Sequence, residues 1–192
     1  MASTYPTSLD NFTNPLTTSL LTSPSHAQQH SDVNDAVEAL QTKVAIGNTV
    51  LGVYQSYTPS FLAGASIGDG TVTGSYCRVN DFVHVWGRFV LGSTSTVTAA
   101  IQVTIPVNMD TTVAGSFPGT FVGQVGIRDT SAATGYVGVV ATVGIAGFAG
   151  RVVLQVQNAA GTYLTNATIS STVPMTWAID DILWWNLYYK AA

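Results

Sequence analysis

Charge is what this chain has least of. Only 8% of its 192 residues are Asp, Glu, Lys or Arg, against about a quarter in an ordinary globular protein, and glutamate occurs once, as Glu38. Six basic residues scattered along a chain of net charge −4 leave no electrostatic footprint for a phosphate backbone, so no nucleic-acid partner is expected. Cysteine is also scarce: the lone Cys77 rules out an intrachain disulfide and fits synthesis in a reducing cytoplasm. Long apolar runs are missing. The best candidate, Tyr136 to Phe148, falls short of the roughly 18 to 20 residues of a spanning helix and is broken by Gly138, Gly144 and Gly147, so no membrane partner is expected. The start, Met1-Ala2-Ser3-Thr4-Tyr5-Pro6, has neither a basic n-region nor an apolar h-region, and no secretory signal is expected. The sequons at Asn11 and Asn166 are then expected to stay idle.

Catalytic groups are as thin on the ground. Past the first quarter of the chain His84 is the only histidine, glutamate is absent and the aspartates are scattered. Asp81 and His84 are three residues apart, and Asp180 and Asp181 are neighbours, so on a strand each pair diverges to opposite faces. Cys77 has Arg78 beside it in sequence but no histidine at an activating spacing, and reads as a small buried hydrophobe. Gly68-Asp69-Gly70 followed by Gly74 lacks the helix and lysine that would make it a phosphate loop, and reads as a hairpin or loop. No enzymatic activity and no cofactor are expected.

What fills the chain instead is Thr, Ser, Gly, Val and Ala, with 46% hydrophobic residues overall: enough for one good core with appendages. Residues 1–24 form an extended arm. Pro6, Pro15 and Pro24 each remove a backbone donor and force the preceding residue extended, so no helix persists there. Tyr5, Phe12, Leu16, Leu20 and Leu21 are too few for a core and too apolar for a solvated linker; they suit docking onto another surface. Fully extended, the arm reaches about 80 Å.

Residues 25–47 carry a heptad pattern. His26, His30, Val33, Val37, Leu40 and Val44 recur at steps of four and three, with His26, Val33 and Leu40 at d and His30, Val37 and Val44 at a, while Asp32, Asp35, Glu38 and Lys43 fall off the seam. Ser23 can cap the start, Pro24 suits the first helical position and Gly47 marks the stop. A helix this short is marginal alone, so the narrow stripe is expected to be a coiled-coil seam held by neighbouring copies; an amphipathic helix packed on its own domain is the alternative. Metal ligation is not expected; the only candidates are His26 and His30, which at successive layers of a trimer gather six imidazoles that can bind an ion or repel when protonated.

Residues 48–192 read as an antiparallel β-sandwich or jelly roll. Strands are expected near Val72–Val79, Phe82–Leu91, Thr96–Ile105, Gly119–Ile127, Thr134–Phe148, Arg151–Gln157, Tyr163–Thr172 and Asp181–Tyr189, with turn chemistry at Asn80-Asp81, Gly92-Ser93, Pro106 to Asp110, Pro118-Gly119, Asn158 to Gly161 and Pro174. In the second of these Val83, Val85, Phe89 and Leu91 share one face and Phe82, His84, Trp86, Arg88 and Val90 the other; the last strand alternates in the same way. Apolar bulk on both faces calls for a covering partner. A structural interface is the first reading of Trp184 and Trp185, and a glycan-binding platform the second.

The run Tyr5-Pro-Thr-Ser-Leu-Asp10 through Ser23-Pro-Ser-His-Ala-Gln-Gln-His30 and Asn34-Asp-Ala-Val-Glu-Ala-Leu40 resembles the amino-terminal module of tailed-bacteriophage virion proteins, where it precedes exposed β domains of head-decoration, head-fibre and minor tail proteins. Tyr57-Thr-Pro59, Gly68-Asp-Gly-Thr-Val-Thr-Gly-Ser-Tyr76, Arg78-Val-Asn80 and Met175-Thr-Trp-Ala-Ile-Asp-Asp181 look like the attached β modules, while the Trp184-Trp185 ending departs from the more polar strand such modules carry. The resemblance implies a homotrimer on the virion surface, assembled in the host cytoplasm. Its arm would be attached to the major capsid protein or another virion protein, with the β domain displayed outward for capsid decoration or as a head fibre, or, in a tail protein, to bind host-surface glycan.

Overall fold

The computed structural model describes residues 26–44, 52–110, 112, 120–143, 150–159 and 162–192. The arm with its anchors Tyr5, Phe12, Leu16, Leu20 and Leu21 lies outside these residues, as do Ser23, Pro24 and Gly47 at the expected helix ends. The chain divides into two compact units, Met1–Val53 and Tyr54–Ala192.

The first unit contains α1, His26–Val44, within the expected 25–47. Its register is supported locally by four-residue pairs on the helix surface: Gln28 Nε2 donates to Asp32 Oδ1 at 2.8 Å, and the His26 and His30 rings meet edge to face. Such pairs each contribute a few tenths of a kcal/mol, too little to hold 19 residues helical alone. The seam residues Val33, Val37 and Leu40 are 51, 45 and 50% exposed. Val44 is the last helical residue.

Among its described residues the second unit is mostly β, built from antiparallel strands. It comprises β1 (Gln55–Tyr57), β2 (Phe61–Ser66), β3 (Thr71–Val79), β4 (Phe82–Val90), β5 (Thr96–Thr104), β6 (Phe121–Asp129), β7 (Thr134–Thr142), β8 (Arg151–Asn158), β9 (Thr165–Thr168) and β10 (Ile182–Lys190). They form one hydrogen-bonded sheet in the order β1-β3-β4-β10-β6-β7-β8-β5-β2, with β9 pairing the far half of β8.

The two ends of that order, β1 and β2, are consecutive in the chain and joined only by residues 58–60. Laid flat, nine strands at about 4.8 Å spacing would hold the end strands about 38 Å apart, while the link spans at most about 14 Å. The sheet therefore curls until its ends approach. Phe61, opening β2, accordingly packs its ring 5.0 Å from Phe89 of β4 and 6.2 Å from Trp185 of β10, across the enclosed core. Hydrogen bonding thus runs unbroken through one rolled sheet, whose opposed walls enclose the core.

Strand alternation sorts the residues onto the two sides of this wall. Val83, Val85 and Phe89 of β4, Leu183, Trp185 and Leu187 of β10, Ile127 of β6 and Leu154 of β8 point inward and are fully buried. The faces expected for β4 and β10 match. Two tryptophans next to each other in sequence fit by the same means on opposite sides of the wall. Trp185 lies over Gly87, its cross-strand partner in β4, and Trp184 lies over Gly126, its partner in β6. A Cβ at Gly87 would come within 2.2 Å of the Trp185 ring, and one at Gly126 within 2.0 Å of Trp184. Gly74, opposite Gly87 in β3, makes the matching room for the Tyr57 ring.

All eight expected strands form, with shifted ends. The Tyr163–Thr172 run narrows to β9 because Ile169 and Ser171 leave to bond β5, where Ala100 N donates to Ile169 O and Ser171 N to Thr98 O. Of the expected Thr134–Phe148 strand, Thr134–Thr142 forms β7, and residues 144–148 lie outside the described residues. β1 and β2 add to the eight expected strands and carry little sequence signal: one is three residues long, Pro59 sits between them, and neither alternates cleanly.

Gly87→Ala will cost about 1–3 kcal/mol of stability in urea unfolding, because Trp185 has no exit from the core, whereas Gly126→Ala will cost less, since Trp184 can swing into solvent. Burial pushes the Tyr57 phenol up to about 12 and raises Tyr189 as well. A raised folded pKa makes stability fully present below the ordinary tyrosine value of about 10 and lost as pH rises through the folded one. The Tyr57 hydroxyl lies beside Trp185 Nε1 without hydrogen-bond geometry, so Tyr57→Phe will be near neutral at pH 7 and will flatten the fall in melting temperature between pH 10 and 12.

Candidate functional site

The outward face of β3, β4, β10, β6 and β7 carries side chains that the core does not need. Register places them in rows: Val79, Phe82 and Lys190; Cys77, His84 and Tyr188; Ser75, Trp86, Asn186, Gln124 and Val139; Thr73, Arg88, Trp184, Gly126 and Val137. Phe82, Trp86, Trp184, Tyr188 and Val137 are each more than a third exposed. The rings are ordered by one another. Tyr188 stacks on His84 at 4.3 Å with planes 8° apart, and on Phe82 at 5.8 Å. The result is an aromatic strip edged by the amides of Asn186 and Gln124 and the guanidinium of Arg88.

At one end of the strip Tyr54, just before β1, hydrogen-bonds through its hydroxyl to His84 Nδ1, ring edge to ring face. Desolvation and the adjacent Cys77 thiol raise the Tyr54 phenol above its ordinary value. Cys77 is half-buried and directly opposite His84. This corrects the sequence reading, in which Cys77 had no histidine at a useful spacing. The signal was present: a two-residue turn at Asn80-Asp81 pairs Val79 with Phe82, and counting outward brings residue 77 to residue 84. Asn80 takes the left-handed conformation, φ 53°, that such a turn needs.

A second correction concerns the tryptophan pair. Trp185 is wholly buried in the core and cannot touch a glycan or a neighbouring subunit; only Trp184, 38% exposed, is available to either. Neighbours on a strand point to opposite faces, and only one face of this one is outside.

The adjacent aspartates also separate, although at a turn rather than within a strand. Asp180 is exposed at φ 66°, while Asp181 is buried and accepts from Thr130 N at 2.9 Å and Ala178 N at 2.7 Å. Its carboxylate ties the start of β10 to the β6–β7 turn. Asp69, in the expected loop, accepts from Thr94 N, Thr94 Oγ1 and Ser93 Oγ at 2.7–2.8 Å; those bonds hold its carboxyl well below the usual carboxylate range and staple residues 67–70 to residues 92–95. Asp110 accepts from Lys190 Nζ at 2.7 Å. These carboxylates serve as structural acceptors. Among the described residues no three His, Cys, Asp or Glu side chains gather closely enough to hold a metal ion.

On α1 the expected seam residues Val33, Val37 and Leu40 are brought to one exposed stripe, with His26 and His30 in line beneath them. No described helix is long and apolar enough to cross a membrane. Compared with protein-family models, curated proteins and solved structures, the chain has no significant match.

Proposed function

We propose that this protein is a non-enzymatic structural component of a bacteriophage particle: a trimer anchored through residues 1–24 to the major capsid protein or another virion protein, displaying its β domain on the capsid surface as a decoration or head-fibre protein. The observation that carries the reading is the seam. Val33, Val37 and Leu40 are each about half exposed along one stripe of a helix too short to be stable by itself, a stripe that a bundle of identical helices would cover. The arm–helix–β order and the resemblance of the first quarter to virion modules supply the particle and the number three. The rolled sheet supports a jelly-roll-like, rigid displayed unit, and three arms on one trimer would convert weak attachments into durable ones.

Sedimentation equilibrium of the full chain tests it. The wild type is expected at three times the chain mass, and Val37→Asp, which puts a charge in the seam, at one; a wild type that sediments as a single chain overturns the proposal. Deleting residues 1–24 should leave the trimer intact and abolish its recovery with purified particles.

The outer aromatic strip favours a second reading, a minor tail or tail-fibre protein binding host-surface glycan. Exposed ring faces flanked by amide and guanidinium groups suit the apolar face and hydroxyls of a sugar. Here binding to host cells or a glycan array would fall at least tenfold in Trp184→Ala; no cell or glycan binding by the wild type removes this reading and leaves the first.

A further inference from the structure

The two histidines of α1 do more than mark a heptad. They sit four residues apart on one face, both exposed, with their Nε2 atoms 3.0 Å apart and ring centroids 4.4 Å apart at 86°. As free imidazoles they share one proton across that gap, one ring nitrogen donating and the other accepting. Replacing the shared proton by a metal ion requires two nitrogens at about 2.0–2.1 Å from a common point. Two nitrogens 3.0 Å apart then subtend about 91–97° at that point. This is close to the right angle between adjacent ligands of a square-planar or octahedral ion and well short of the ~109° of a tetrahedral one.

We infer that His26 and His30 form a two-imidazole chelate for a divalent transition-metal ion of square-planar or octahedral preference, of the Ni²⁺ or Cu²⁺ class, with water in the remaining positions. The chelate is complete within one chain. It therefore goes beyond the structural role proposed above. Its physical effect is on α1 itself, because an ion bridging successive turns ties the first turn of the helix to the second and opposes fraying where no acidic residue stabilises the start.

Isothermal titration of the full chain with NiCl₂ in a non-coordinating buffer at pH 7.5 tests this, with far-UV circular dichroism confirming that each variant stays folded. Saturable binding is expected for the wild type, at least tenfold weaker in His26→Ala and in His30→Ala. The double variant H30A/S31H keeps the number of histidines but moves the second imidazole about 100° around the helix, and should bind no better than H30A. Absence of saturable binding in the wild type, or wild-type affinity in H26A or in H30A/S31H, would overturn the inference.

Discussion

Three residues between β1 and β2 govern the architecture of the β unit. Because the strands they join stand at opposite ends of the hydrogen-bonding order, the sheet has no flat solution, and every later feature is a response to being rolled. An inside and an outside are created at once. Side chains that alternate along a strand are thereby committed to a dry core or to the exterior, and the buried Asp181 supplies a polar tie where the chain enters β10.

Curvature also explains why glycine is spent where it is. The inner surface narrows as the sheet rolls, and the bulky Tyr57 and Trp185 rings occupy the room over Gly74 and Gly87, which sit between them in one cross-strand row. Outside, the same logic runs with less pressure: Trp184 covers Gly126 and still shows more than a third of its surface. The two neighbouring tryptophans are thus one device used twice, once to fill the core and once to build the exterior strip on which Tyr188, His84 and Phe82 are stacked.

How much of this was legible in the sequence depended on the distance over which each decision is made. The faces of β4 and β10 could be read directly, since alternation is local, and so could α1, whose period is local too. The Cys77–His84 pairing was readable from the Asn80-Asp81 turn, because a hairpin fixes its own register. The Trp–Gly complementarity was not, because β10 meets β4 and β6 only after the chain has travelled far from both, and no short-range pattern announces those neighbours. β1 and β2 escaped for another reason: strands at the ends of a sheet need few residues and tolerate irregular register, so they leave a faint trace in composition. The separation of Trp184 from Trp185 was implicit in alternation; which of them faces inward was decided by the curl.

The position of β10 has a consequence for how the molecule is made. The last strand in sequence, β10, lies in the interior of the sheet, between β4 and β6, which otherwise have no direct pairing. At about 5–20 residues per second a ribosome reaches β10 some 7–28 s after completing α1. Until then the facing edges of β4 and β6 stand open to any other extended peptide, so the nascent chain passes through a window in which its helix is already synthesised while its largest domain is still unsealed.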